Sequence, residues 1–233
     1  METRNTGIWE SDGLQLVHPT WRKGEIQGVL FDMDGLVLDT EILYSRFWRE
    51  ACSAFGFTMS YQQSLKMRAL NRQAGAEMLQ SFFGPEVDYT AVRQERIRRM
   101  DAFVASEGVK AKPGIPELLD ILRERGIATA IASSSPTERI EAYLKSVGLL
   151  DRFDKLCSGY QVAHGKPEPD IFLYGAECLG VPPEKCLALE DSYAGLLSAY
   201  RAGCLPVMIP DLDVPSEKTW SWSMLWRSPE LTL

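Results

Sequence analysis

The chain has 233 residues, of which 45% are hydrophobic and 24% charged, with a formal net charge of −7. That length allows one large domain or two small ones and can bury a substantial core without disulfides. The acidic balance argues against a nucleic-acid footprint, which would be basic, whereas an anionic small molecule stays open because a metal ion and a lysine can reverse the field inside a pocket.

Residues 1–24 are polar, with scattered Trp9, Leu14, Leu16, Val17 and Trp21, and read as an N-terminal extension. Residues 26–31 form an apolar run, the first expected strand, which ends in Asp32-Met33-Asp34-Gly35. Residues two apart on an extended chain point the same way, so Asp32 and Asp34 can face one pocket. The plain alternative is an Asp-Gly hairpin turn. Ile42, Leu43, Phe47, Trp48, Ala51, Cys52 and Phe55 follow at helical spacing instead, which argues against a hairpin. Helices are expected over 42–55, 60–70, 73–83 and 88–106, with Gly84-Pro85 as a stop. Arg93, Arg96, Arg98 and Arg99 crowd the last of them and read as a solvated face paired with acids. Residues 108–114 have linker composition and mirror the linker at 38–41. A helical insert between two linkers reads as a mobile lid.

From Ile115 the pattern alternates. Helices are expected over 116–125, 169–179 and 193–202, and strands over 127–132, 155–158, 186–189 and 205–209. Ser135, Pro136 and Glu138 have the spacing of a capping box opening a further helix, which stops at Gly148. Strands separated by helices imply a parallel sheet covered on both faces, with ligands beyond the carboxyl ends of its strands. The tail beyond Pro210 carries Trp220, Trp222 and Trp226, read as packing onto the core. No apolar run approaches the roughly 20 residues that span a bilayer. The N-terminus lacks the apolar core of a signal peptide. The five cysteines (Cys52, Cys157, Cys178, Cys186, Cys204) are scattered and read as buried small hydrophobes in a reducing compartment. The expectation is a cytoplasmic protein without membrane or nucleic-acid partners.

Chemistry-bearing residues follow four expected strands: Asp32 and Asp34; Ser133; Lys166 in Gly165-Lys-Pro-Glu-Pro-Asp170; and Glu190-Asp191 in Leu189-Glu-Asp-Ser-Tyr-Ala-Gly195. Each alone has a bland reading as a cap, a surface turn or a helix start. Together and in order they resemble the four motifs of the haloacid dehalogenase superfamily. Phe31-Asp-Met-Asp-Gly-Leu-Val-Leu-Asp-Thr40 is similar to motif I of its phosphatase and β-phosphoglucomutase-like branch. The resemblance covers Gly28 to about Ile209. It implies an α/β fold: a doubly wound parallel-sheet (Rossmann-like) core at 25–40 and 109–233, with an inserted all-helical cap at 41–108.

The resemblance also implies roles. Asp32 is the nucleophile and Asp34 the general acid, then base. Ser133 donates a hydrogen bond to the transferring phosphoryl group, and Lys166 pairs with that group and with Asp32. The backbone amides of Met33 and Ser134 join them as an anion nest. Mg²⁺ is held by Asp32, Asp191, Glu190 and the backbone carbonyl of Asp34. Hard oxygen donors suit that ion. Asp34 also separates the chain from dehalogenases, which lack the second aspartate. Arg72, in Arg68-Ala-Leu-Asn-Arg72, sits where β-phosphoglucomutase-like proteins carry a Gly-x-x-Arg pattern; it reads either as a contact to the distal end of the substrate or as a solvated helix end. Lys66, Asn71 and Gln73 are weaker candidates there. Tyr44 departs from the histidine of many relatives, the mutase included. His18 and His164 match no motif.

The implied activity is a Mg²⁺-dependent phosphomonoester hydrolase, a monomer acting on a small phosphorylated metabolite of the sugar-phosphate kind. A phosphomutase of the β-phosphoglucomutase type is the alternative. A phosphonoacetaldehyde-type hydrolase would need a Schiff-base lysine, for which only Lys66 offers itself. A non-catalytic phosphate binder should have lost one of Asp32, Asp34, Lys166 or Asp191, and all four are present.

Overall fold

The computed structural model describes residues 8–11, 14–17, 26–68, 70 and 72–212. His18, Ala69, Asn71, Trp220, Trp222 and Trp226 lie outside them. Near the N-terminus β1 (Ile8–Ser11) and β2 (Leu14–Val17) pair antiparallel, a hairpin that the weak periodicity there does not announce.

The core is a five-stranded parallel sheet of β3 (Gly28–Phe31), β4 (Ala128–Ser133), β5 (Lys155–Ser158), β6 (Cys186–Glu190) and β7 (Leu205–Met208), in the order β5-β4-β3-β6-β7. All four residues of β3 are buried, as a central strand with helices on both faces requires. Alternation splits them between two cores. Val29 and Phe31 join Leu119 and Leu122 of α5 (Ile115–Glu124) and Ile140 and Leu144 of α6 (Thr137–Ser146). Leu30 joins Ile171, Phe172 and Ala176 of α7 (Asp170–Leu179) and Ala199 of α8 (Tyr193–Arg201). The strand order runs outward on both sides of β3, so the crevice beyond its carboxyl end is where a ligand is expected in such a sheet.

Four helices are inserted after β3: α1 (Glu41–Ala54), α2 (Tyr61–Leu65), α3 (Arg72–Phe83) and α4 (Tyr89–Glu107). They bury their own cluster, with Trp48, Cys52, Met59, Met67, Leu79 and Val92 at its centre. Leu79 is fully buried there, and its truncation to Ala would cost about 2–5 kcal/mol. The two linkers run side by side. Asp39 N donates to Lys110 O at 2.8 Å and Lys112 N to Val37 O at 2.9 Å. Lys112 Nζ bridges the two linkers through Asp39 at 3.0 Å and ties them to Asp211, beyond β7, at 2.5 Å.

Two local expectations change. The helix expected over 60–70 is one short segment, α2, opened by a reciprocal Ser60–Gln63 capping box and followed by turn. The helix after Ser135 begins at Thr137 with no side-chain cap; the Ser135 hydroxyl has a stronger acceptor, described below. The cysteines are free, four of them buried. No helix among the described residues is long and apolar enough to cross a membrane.

Candidate active site

The carboxyl ends of β3, β4 and β6, with the loop between β5 and α7, deliver the expected residues to one place. Lys166 Nζ lies 2.5 Å from Asp32 Oδ1 and 2.5 Å from Glu190 Oε1, and donates to Ala132 O at 3.1 Å. Burial alone would discharge this ammonium, but the two carboxylates outweigh it and hold its pKa above the usual lysine range. Burial pushes the Asp32 carboxyl upward while Lys166 pulls it back. With the partners this close, the ammonium–carboxylate pair is the state that satisfies both.

Asp32, Glu190 and Asp191 are buried, and one oxygen from each lies within 4.8 Å of the others. Burial, with Asp32, Glu190 and Glu41 nearby, raises Asp191 to about 9. Three desolvated carboxylates with too little counter-charge are a donor set that fits a hard divalent cation. Glu190 is the least available of the three. It is wholly inaccessible; Oε1 is taken by Lys166, and Oε2 accepts from Ser192 N at 3.3 Å and Ser192 Oγ at 3.0 Å. Its place is made by Gly195, where a Cβ would overlap the Glu190 carboxylate. Gly35, at φ +88°, likewise leaves room that a Cβ would take from Asp191.

Asp34 accepts from Thr40 Oγ1 at 2.7 Å and from Ser135 Oγ at 3.1 Å. Ser135 is therefore a site residue, not a helix cap. Ser133 is buried, with its Oγ accepting from Ser135 N at 3.1 Å, which leaves its own proton free to donate. Ser134 and Ser135 line the wall of a cavity of about 610 Å³. Asp32, Asp34, Lys166 and Asp191 line its core side, and Tyr44, Arg72, Arg93 and Arg96 are among the residues on its cap side. Arg72 is exposed at the head of α3 and reaches the cavity. Lys66 and Gln73 do not line it; Gln73 bonds Glu77 on its own helix. His164 is exposed and bonded to Asp170 at 3.0 Å.

Sequence reasoning passed over three residues. Arg68 Nε donates to Glu41 Oε2 at 2.9 Å, and its Nη2 reaches Asp191 Oδ2 at 3.3 Å. Its signal was its place four residues before Arg72. Burial raises Glu41 to about 7, against the pull of Arg68. Arg96 is the third. The arginine run of α4 is a solvated face only in part: Arg98 and Arg99 pair with Glu95 at 2.7 Å each, but Arg96 is 7% exposed and turned into the cavity wall.

Residues 26–203 match the haloacid dehalogenase-like hydrolase family. The chain belongs to that family. It is 32% identical over 178 residues to the phosphorylated carbohydrates phosphatase of Thermotoga maritima, covering 76% of this chain and 82% of that protein. It is 30% identical over 188 residues to the β-phosphoglucomutase of Bacillus subtilis, covering 78% and 82%. Among solved structures, CbbY of Rhodobacter sphaeroides in complex with phosphate superposes with a TM-score of 0.67 at 28% identity, covering 79% of this chain and 86% of that one. The chain is thus a haloacid dehalogenase-like enzyme of the phosphatase kind, and the helical insert corresponds to the cap of that fold.

Proposed function

We propose that this enzyme hydrolyses a small phosphorylated sugar, with Mg²⁺, through an aspartyl-phosphate on Asp32. The observation that carries the reading is the convergence of Asp32, Asp34, Lys166 and Asp191 on one cavity closed by the cap. The Thermotoga relative's name supplies the substrate class, phosphorylated carbohydrates.

A carboxylate and a phosphate dianion repel, and Mg²⁺ held by Asp32, Asp191 and the Asp34 carbonyl would screen that repulsion. Glu190 is better suited to holding Lys166 than to holding the metal, because both its oxygens are occupied. Asp32 attacks phosphorus as the bond to the sugar oxygen breaks, and that oxygen takes the proton of Asp34. Asp34, now a carboxylate, removes a proton from water. The water oxygen attacks phosphorus, the bond to Asp32 breaks, and inorganic phosphate leaves. Lys166 and the Ser133 hydroxyl neutralise charge on the transferring oxygens. Thr40 and Ser135 orient Asp34 for both proton transfers. The cap closes over the substrate and excludes bulk water.

The mutase reading has one observation in its favour, the 30% identity to β-phosphoglucomutase. Tyr44 weighs against it. Its phenol is held well above its usual pKa by burial, with Asp34 nearby, and so stays protonated where a histidine could exchange a proton.

Phosphate release from a panel of sugar phosphates, with Mg²⁺ and with EDTA, tests the reading, with Asp32→Asn as the blank. Metal-dependent release lowered at least about a thousandfold in the variant is expected. Retained turnover in Asp32→Asn would remove the nucleophile assignment. Isomer interconversion without phosphate release would favour the mutase.

A further inference from the structure

The turn that follows β5 is restrained from several directions. Residues Gly159–Gln161 form a short 3-10 turn opened by Ser158. Ser158 N donates to Gln161 Oε1 at 2.8 Å, and Ser158 Oγ accepts from Tyr160 N at 3.2 Å. The same hydroxyl donates to Ser135 O at 2.7 Å. Gly159 lies against the backbone at the end of β4. A Cβ there would stand 3.1 Å from Ser134 Cα and 3.4 Å from Ser133 O, so the turn can approach this closely because the residue has no side chain. The turn is thereby fixed relative to Ser133 and Ser134, beside the place proposed for the transferring phosphoryl group.

What this turn presents is Tyr160. It lines the active-site cavity and is 66% exposed, more than any other large hydrophobic among the described residues. Neither its ring nor its hydroxyl has a partner among them. A single exposed aromatic is ordinary on a protein surface. Two observations set this one apart. Its backbone is pinned to the loop that carries Ser133–Ser135, and a second tyrosine lines the same cavity. Tyr193 opens α8 and is 38% exposed. β5 and β6 lie on opposite sides of β3 in the sheet, so the two tyrosines flank the cavity on either side of Asp32.

The face of an aromatic ring is electron-rich and favours contact with polarised C–H groups. A pyranose or furanose offers several such groups together on one ring face. An open-chain polyol must freeze several torsions to present the same face, which costs conformational entropy. A tyrosine on a fixed turn loses little entropy in making the contact, because only two side-chain torsions are free.

We propose that Tyr160, with Tyr193 across the cavity, is a stacking platform for the ring face of the substrate, so that the enzyme selects cyclic sugar phosphates over open-chain polyol phosphates. This deepens the phosphatase reading and rests on it for turnover but not for binding.

Two matched pairs test it: glucose 6-phosphate against glucitol 6-phosphate, and ribose 5-phosphate against ribitol 5-phosphate. Within each pair the carbon count, the phosphate position and the charge are the same. Binding is measured by calorimetry in the Asp32→Asn background, and turnover by phosphate release from the otherwise unaltered enzyme. The cyclic member of at least one pair should bind about threefold to tenfold tighter. Tyr160→Ala should bring that ratio close to one, whereas Tyr160→Phe, which keeps the ring and drops the hydroxyl, should keep most of it; melting temperatures check that both variants fold. Equal binding within both pairs, tighter binding of the open chains, no binding of any of the four, or a ratio unchanged in Tyr160→Ala would overturn the platform. Loss of the ratio in Tyr160→Phe as complete as in Tyr160→Ala would also overturn it, because the hydroxyl and not the ring face would then make the choice. Absence of phosphate release from every compound, with the binding ratio intact, would instead overturn the phosphatase reading and leave the platform standing.

Discussion

Arg68 reaches from the cap to the core and places its Nη2 3.3 Å from Asp191 Oδ2. The same guanidinium holds Glu41, the first residue of α1, at 2.9 Å. One cap arginine thus neutralises part of the carboxylate cluster proposed to hold Mg²⁺, and a cation arriving there competes with it. Arg68→Gln removes the competitor but keeps a polar side chain. The expected outcome is tighter Mg²⁺ binding by severalfold in calorimetric titration, together with a looser cap in hydrogen exchange of α2 and α3. Weaker Mg²⁺ binding would mean that Arg68 orients Asp191 more than it competes for it.

The buried acids set a pH dependence with a definite sign. Asp191, raised to about 9, and Glu41, raised to about 7, keep protons in the folded protein that the unfolded chain releases near pH 4. Between those values the folded state binds more protons than the unfolded state, so stability falls as pH rises. Lys166 stays charged across the whole window and adds no slope. Melting temperature of the metal-free protein should therefore decline from pH 5 to pH 8.5. Mg²⁺ at about a hundred times its Kd should raise stability by about 2.7 kcal/mol at neutral pH. Asp191→Asn should flatten the metal-free curve. A melting temperature that rises across this window would show that the cluster is not strained by its own charge.

The fold and the central site were legible because they rest on local, periodic signals. The apolar run before Asp32 is β3, and the i, i+2 spacing of Asp32 and Asp34 brings both to the cavity. The alternation after Ile115 gives the parallel sheet. What was not legible depends on distant partners. Ser135 has the spacing of a cap, but Asp34, 101 residues away in sequence, is the acceptor it takes. Arg96 looks like its neighbours in a charged run, and only the fold of α1 against α4 turns it onto Tyr44 and Trp48. Glu190 belongs to the acidic cluster as expected, but its bonds to Lys166 and Ser192 are visible only in the fold.

That occupancy makes Gly195 a sensitive position. A Cβ there would fall inside the Glu190 carboxylate. Gly195→Ala must therefore displace Glu190, and with it the second anchor of Lys166. Overpacking of this kind costs about 1–3 kcal/mol of stability. The expected outcome is a folded protein with a lower melting temperature and phosphatase activity lost by at least about a hundredfold, because a shift of the lysine by about 1 Å is enough for that. Glu190→Gln keeps the shape and removes the charge, and should lose less activity than Gly195→Ala. The reverse order would mean that the Glu190 charge matters more than the position it gives Lys166.

Ser135 offers the finest test of the proton-transfer geometry. Its hydroxyl donates to Asp34 Oδ2 at 3.1 Å while Thr40 donates to Oδ1 at 2.7 Å. Ser135→Ala removes one of the two restraints and leaves Asp32, Lys166 and Asp191 untouched. One hydrogen bond to a carboxylate of this kind is worth about 1.5–3 kcal/mol, so kcat should fall about tenfold to a hundredfold. KM should change little if the bond acts on Asp34 and not on the substrate. A leaving group that needs no protonation, such as p-nitrophenolate, should recover part of the loss in the first half-reaction, because Asp34 is then not required as an acid. Equal loss on that substrate in single-turnover measurements of phenolate release would place Ser135 on the phosphoryl group instead.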